Sequence, residues 1–333
     1  VFHFPAARAA GHRDLAAALK PGMTRDYSDR KGKRMIPAYE INLANAVWGQ
    51  TGHAFADDFT RILESDYRAP LRRIDFTQTD EYVDINVGNI LLATGFQPFD
   101  ARRVEAFGYG RLPNVFTSME FERMSNAAGP TGGKIVLRDG VTEPKSVVIV
   151  HCVGSRDKNT NEYCSAICCM QSLKFAHLVK EHTDADVYEC YIDMRTPGKG
   201  YDEFYNRILD EGTQFIRGRV AEVTDSLRYP EEAGHEGRLI VQVEDTLAGV
   251  KRRVPADMVI LSTGLEPQPD ATDVARMFGV GCSSNVFIIE RHAKLDPVAT
   301  MTDVVFADGA TLGPRDIPTS VSNGAAAAAT ILS

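Results

Sequence analysis

The chain has 333 residues, is 44% apolar and 25% charged, and carries a formal net charge of −8. Those values belong to an ordinary globular protein with room for two cores, and they exclude a disordered or collagen-like chain. An acidic balance gives no general attraction to nucleic acid, and no stretch nears the roughly 20 apolar residues that span a bilayer. Neither nucleic-acid binding nor direct membrane insertion is therefore expected.

The first 34 residues run against this balance, with eight Lys or Arg against Asp14, Asp26 and Asp29. They read as a solvated arm or as a docking surface for an acidic partner. The opening VFHFPAARAAGHR has neither an initiator Met nor the layout of a secretory signal, which suggests a piece of something longer. Helices are expected near 40–49 and 55–65, within an N-terminal segment, 1–80, that offers no legible chemistry. Six cysteines, four of them clustered, do not form a dispersed disulfide framework and point to a reducing cytoplasm.

Residues 89–98 read NILLATGFQP, and residues 258–267 answer with MVILSTGLEP. Each is an apolar strand closed by a Thr-Gly turn and a proline, so two related nucleotide-binding-type units are expected. Between them a strand is predicted at 146–150, then a helix over about 164–181, where Thr183-Asp184 breaks the pattern. A strand follows at 186–193, a Pro197-Gly198 loop, a helix near 201–211 and a strand at 215–223. That alternation is the mark of a parallel, doubly wound α/β sheet. Residues 238–247 and 250–261 read as a hairpin returning the chain to the last strand. A final strand at 304–307 ends in the turn Asp308-Gly309-Ala310. Gly313-Pro314 and Ile317-Pro318 then lead into a small-residue helix over 320–332.

The densest chemistry lies in HCVGSRDKNTNEYCSAICCMQSLK, where Cys152, Cys164, Cys168 and Cys169 are spaced C-x11-C-x3-C-C. The run follows the apolar strand at 147–150, where a nucleotide-binding protein places its glycine loop. Cys164 and Cys168 lie four apart on the predicted helix and share one face, and Cys169 flanks it. Four thiols at a strand-to-helix turn suit an iron–sulfur cluster. A structural zinc, a redox disulfide and inert buried thiols are the alternatives. Zinc prefers C-x2-4-C knuckles. Adjacent Cα atoms about 3.8 Å apart sit below the usual disulfide range. Cys190 and Cys282 read as core or incidental thiols.

No G-x-G-x-x-G is intact, and after the strand at 146–150 only Gly154 appears where three glycines are wanted. The middle unit has the outline of a pyridine-nucleotide domain without its grip. The turns Ala93-Thr94-Gly95 and Asp308-Gly309-Ala310 would let a flavin approach the backbone. A helix starting near Pro318-Thr319-Ser320 would aim its positive end at a flavin's anionic edge.

Together VIVHCVGSRD, NEYCSAICCMQSLK, YIDMRTPGKGYDEFYNR, ADMVILSTGLEP and FADGATLGPRDIPTSV resemble the A-type subunit of heterodisulfide reductase. They also resemble its relatives in sulfur-oxidising and quinone-interacting complexes. The similarity covers about residues 85–333. It implies a thioredoxin-reductase-like architecture of two Rossmann-like units. The FAD unit would comprise 81–125 plus 285–333, with its first half missing, and a cluster-bearing unit would comprise 140–275. It implies FAD contacts from Ala93, Thr94 and Gly95, from Gly309 and Ala310, and from Gly313, Pro314, Ile317, Pro318, Ser320 and Val321. It implies a [4Fe–4S] cluster on Cys152, Cys164, Cys168 and Cys169, with Lys174 near the flavin N5 as the catalytic cation.

The chain departs from the family in lacking the glycine fingerprint, the ferredoxin-type C-x2-C-x2-C runs and an Asp after Gly309. The expected function is electron transfer between FAD and the cluster, in a cytoplasmic complex with other heterodisulfide reductase-type subunits and electron-donor proteins. A homodimer within that complex fits the same reading. Two alternatives stand beside it. One is a pyridine-nucleotide-dependent disulfide reductase using Cys168 or Cys169, the other a zinc-stapled scaffold without catalysis.

Overall fold

Two units divide the chain after Val87 in the computed structural model, which describes residues 24–29, 32–37, 47–50, 52, 54–66, 71–74 and 86–332. In the first unit β1 (Thr24–Asp29) and β2 (Gly32–Pro37) form an antiparallel pair. β3 (Val47–Gln50) runs parallel to β4 (Leu71–Ile74), with helix α1 (Asp57–Asp66) between them in sequence. The helix predicted at 55–65 is therefore α1. The one predicted at 40–49 gives way at residue 47, where the strand-forming Val47-Trp48 pair is hydrogen-bonded into a ladder with β4. The remainder of that prediction, and the basic stretch before residue 24, lie outside the described residues.

In the second unit β5 (Ile90–Leu92), β6 (Phe96–Pro98), β7 (Val115–Thr117) and helix α2 (Ser118–Met124) lead to β8 (Ser146–Val153). Helix α3 (Cys168–His182), β9 (Asp186–Tyr191), helix α4 (Tyr201–Asp210) and β10 (Gln214–Arg217) follow. Next come β11 (Val220–Thr224), β12 (Leu239–Asp245), β13 (Val250–Ala256), β14 (Met258–Thr263) and β15 (Leu265–Pro267). Helix α5 (Ala271–Phe278), β16 (Val305–Ala307) and helix α6 (Ile317–Leu332) complete the chain.

Five strands form a parallel sheet in the order β10-β9-β8-β14-β7, the 3-2-1-4 arrangement of a Rossmann-like unit with one strand added at the edge. β8 and β14 are buried at every position because both faces of the sheet are covered. Val147 and Ile149 pack with Phe121, Leu173, Phe175 and Ile208 of α2, α3 and α4. Val148 and Val150 pack on the other side with Val223, Val241 and Val254 of the antiparallel sheet β11-β12-β13. One face is thus helical and the other is a three-stranded sheet, where helices on both faces would be the common pattern.

The strand predicted at 215–223 splits in two at Gly218, where a Cβ would stand 1.6 Å from the Glu244 carbonyl oxygen. The chain leaves the parallel sheet there and enters the antiparallel one. β7 and α2 pack on β14, so residues 115–124 join the five-stranded unit. The second parallel pairing in this unit is β16 with β5. The two halves of the internal repeat meet: β6 and β15 pair antiparallel, with Pro98 opposite Leu265 and Phe96 opposite Pro267. Among the described residues no helix is long and apolar enough to cross a membrane.

Candidate functional site

The loop that follows β8 decides the chemistry. Cys152 leaves the strand in the left-handed region (φ 58°), and Gly154 follows at φ 78°. A Cβ on Gly154 would lie 2.1 to 2.3 Å from ring atoms of Phe99, so this glycine makes room for an aromatic ring. The chain then doubles back: Arg156 N–H donates to the Tyr163 carbonyl at 2.9 Å and Asp157 N–H to that of Asn161 at 3.0 Å. Tyr163 O–H donates to the Leu265 carbonyl (2.8 Å), and Leu265 N–H donates to Ser165 Oγ (3.0 Å). The second Thr-Gly turn thus anchors the cysteine loop, and a Cβ on Gly264 would meet Ser165 Oγ at 2.7 Å.

α3 begins at Cys168, not at 164. Ala166 sits in the left-handed region at φ 59°, which ends any helix attempting to run through it. Cys164 therefore lies in the loop, half-buried, and its Sγ accepts the Ala166 N–H at 3.4 Å. Cys152, Cys168 and Cys169 come together as one buried cluster against Ile192 and Met194. Cys168 and Cys169 occupy the first turn of α3, which holds no acidic side chain, so the positive end of the helix acts on the thiols alone.

The electrostatics favour the thiolate forms of Cys169 and Cys152. A hydrogen bond from Cys168, helped by His151, draws Cys169 down to about 4. The same donor draws Cys152 down to about 7. Cys168 is held well above its usual value by its bonds to Cys152 and Cys169. Beneath them lies a fully buried pair, His151 Nε2 to Glu189 Oε2 at 2.8 Å. Burial opposes the charged imidazole, yet the bonds to Cys169 and Glu189 prevail and raise it to about 10. Burial raises Glu189 as well. His151 Nδ1 and Glu189 Oε1 have no oxygen or nitrogen partner. Arg156 Nη1 is likewise buried and unpartnered, while its Nη2 donates to Asp193 Oδ2 at 2.7 Å.

A group held here would have to be thiophilic. Among the described residues no three His, Cys, Asp or Glu side chains are spaced as ligands of a single metal ion. Three buried thiols, with Cys164 half-buried in the adjoining loop and an unpartnered buried N–H on Arg156, fit an iron–sulfur cluster on these chemical grounds. Cys190, buried and pushed up to about 12, and the half-buried Cys282 stand outside the group.

The flavin-type residues meet at the ends of β5 and β16. Gly95 N–H donates to Thr311 Oγ1 at 2.9 Å, and the Thr94 and Thr311 hydroxyls lie 3.2 Å apart. Ala93, Thr94 and Gly95 are thereby set beside Gly309 and Ala310. Gly95 (φ 76°) and Gly313 (φ 143°) have nothing within 4 Å of the Cβ position, a bare backbone that a cofactor could approach. Asp308 Oδ1 is buried without a partner, as suits a ligand hydroxyl.

Pro314 lies in the loop before α6, with Ile317, Pro318, Ser320 and Val321 on its first turns; Ile317 and Val321 are exposed. The positive end of α6 already holds a carboxylate, since Asp316 Oδ1 accepts the Thr319 N–H at 2.9 Å. Lys174 Nζ is paired with Glu122 Oε1 of α2 at 2.5 Å. His151, Arg156, Glu189 and Thr311 escaped the reading of the sequence, as did the side chain of Asp308, whose backbone turn alone was singled out. The visible signal for one of them was a glutamate inside the apolar strand DVYECY.

Fold and site define a class: an α/β protein with a Rossmann-like parallel sheet, covered by helices on one face and by a small antiparallel sheet on the other, with three thiols buried together where its first strand ends. More particularly, the chain is homologous to part of the A-type subunit of the CoB–CoM heterodisulfide reductases. It is 45% identical over 267 residues to the first A-type iron–sulfur subunit of Methanopyrus kandleri, covering 78% of this chain and 39% of that protein. It is 44% identical over 261 residues to the A-type iron–sulfur subunit of Methanocaldococcus jannaschii, covering 78% and 39%. With the A-type subunit of the ferredoxin/F420H2-dependent enzyme of Methanosarcina acetivorans it shares 40% over 265 residues, covering 79% and 32%.

The chain thus spans about 32–39% of the length of these relatives. No family model matches it. Among solved structures, thioredoxin reductase of Lactococcus lactis aligns at TM-score 0.47 and 15% identity over 82% of this chain and 78% of that one.

Proposed function

We propose that the protein is the electron-transferring flavin and iron–sulfur portion of an A-type heterodisulfide reductase subunit. The observation that carries this reading is the end of β8, where the Phe99 ring lies against Gly154 and Cys152 is buried together with Cys168 and Cys169 of α3. When bound, FAD would supply two-electron exchange and a [4Fe–4S] cluster one-electron exchange. Cys152, Cys164, Cys168 and Cys169 would hold the cluster, and the helix dipole of α3 would act on Cys168 and Cys169. Thr94, Gly95, Asp308, Gly309 and Thr311 would grip the flavin through backbone and hydroxyl contacts. Lys174 would place a cation toward it after leaving Glu122. Other reductase-type subunits and electron-donor proteins would be its partners in the cytoplasm.

A thiol–disulfide role draws on the depressed Cys169 thiol. Against it, Cys169 is only 3% exposed, which denies a disulfide substrate the approach that exchange requires. The test is anaerobic purification of the full-length protein and its Cys168→Ala variant, followed by flavin analysis and EPR. The variant should keep its flavin and lose the wild-type cluster signal. An unchanged spectrum overturns the ligand assignment.

A further inference from the structure

The oddest group around the sulfur site is Arg156. Its backbone is left-handed at φ 55°, a conformation that an arginine adopts only when its surroundings impose it. The imposition is visible. Arg156 N–H is tied to the Tyr163 carbonyl at 2.9 Å, and the Arg156 carbonyl accepts from Arg219 Nη1 at 3.2 Å. The side chain is 19% exposed, and Asp193 fixes one arm of the guanidinium. The other arm, Nη1, is sealed from solvent with no acceptor. A buried guanidinium donor left unpaired is costly, and in native proteins it calls for an explanation. Arg156 follows Cys152 on the same loop, its N–H is bonded to the carbonyl of the residue just before Cys164, and after Asp193 the charges that act on this guanidinium are those of the Cys152 and Cys164 sulfurs. These are the two cysteines that lie outside α3 and its helix dipole.

We propose that Arg156 is the charge-compensating residue of the sulfur site, holding a fixed positive charge and a free N–H against the Cys152–Cys164 side and so raising the reduction potential of the cluster. This rests on the reading that the four cysteines hold an iron–sulfur cluster. One-electron reduction adds one negative charge to such a cluster, and no bond in the protein forms or breaks. A neighbouring cation stabilises the more negative state most, and hydrogen bonds to sulfur act in the same direction. Asp193 opposes part of this effect with its own charge, which it also shares with Arg217 at 3.0 Å. The two residues therefore push the potential in opposite directions. A merely structural clasp would move both variants the same way.

The test uses the full-length protein purified without oxygen, with iron and acid-labile sulfide counted before each measurement. Potentiometric titration with dithionite as electron donor, read by EPR, gives the midpoint. Arg156→Gln should shift it to more negative values, Asp193→Asn to more positive values, and Arg156→Lys should stay close to wild type. If Arg156→Gln fails to retain iron, the Asp193→Asn and Arg156→Lys midpoints decide by the same signs. A fully loaded Arg156→Gln with the wild-type midpoint overturns the role of Arg156. So does a shift of the Gln and Asn variants in one direction. Wild-type protein without iron and sulfide overturns the underlying cluster reading instead, and this role with it.

Discussion

Replacing Gly154 by Ala should be among the most damaging single-methyl changes in the chain. The added Cβ would stand 2.1 Å from Phe99 Cγ and 2.3 Å from each Cδ, and the backbone holds φ 78°. Phe99 is 2% exposed and its own N–H is bonded to the Gly264 carbonyl at 2.8 Å, so the ring has nowhere to retreat. Overpacking of this kind costs about 1–3 kcal/mol. The left-handed backbone adds about 1 kcal/mol for a residue with a Cβ. The expected loss is therefore roughly 2–4 kcal/mol, read as a lower urea midpoint at unchanged m-value. In a Phe99→Ala background the clash vanishes and only about 1 kcal/mol should remain for the backbone. The double-mutant cycle should then show a coupling of about 1–3 kcal/mol. Equal costs in both backgrounds would refute the claim that this glycine serves a ring and not a phosphate.

Glu189→Ala should cost about 3–5 kcal/mol by leaving His151 buried without its carboxylate, measured by urea unfolding. A cost below about 1 kcal/mol would mean that the pair is not buried as described. Glu232 is held at about 2 by its ion pair with Arg253, below its ordinary 4.5, so its stabilisation is complete above pH 4.5 and is lost as the pH falls toward 2. Unfolding midpoints of wild type and Glu232→Gln should differ at pH 6 and converge toward pH 2. A difference that persists at the lower pH contradicts the assignment.

Sequence pattern revealed the parallel sheet because β8 and β14 are continuous apolar runs, a signal that burial on both faces produces directly. It misplaced the start of α3, because Ala166 adopts a left-handed conformation that nothing in the string CSAICC announces. The Thr-Gly repeat was visible, yet its two copies do different work. Space around Gly95 is open, whereas Gly264 is pressed against Ser165, a distinction created wholly by tertiary packing. Spacing singled out four cysteines, of which the fold buries Cys152, Cys168 and Cys169 together and leaves Cys164 half-buried in the loop. His151, Glu189 and Arg156 were not singled out, because single polar residues in apolar strands or loops acquire meaning only from their neighbours in space.

The most direct measurement is the iron, acid-labile sulfide and flavin content of the full-length protein purified without oxygen. The account expects about four iron and four sulfide per chain at this site beyond those of any other cluster the protein carries, lost together on Cys168→Ala, beside one FAD. Iron and sulfide counts identical in wild type and variant would contradict it, as would zinc in place of iron.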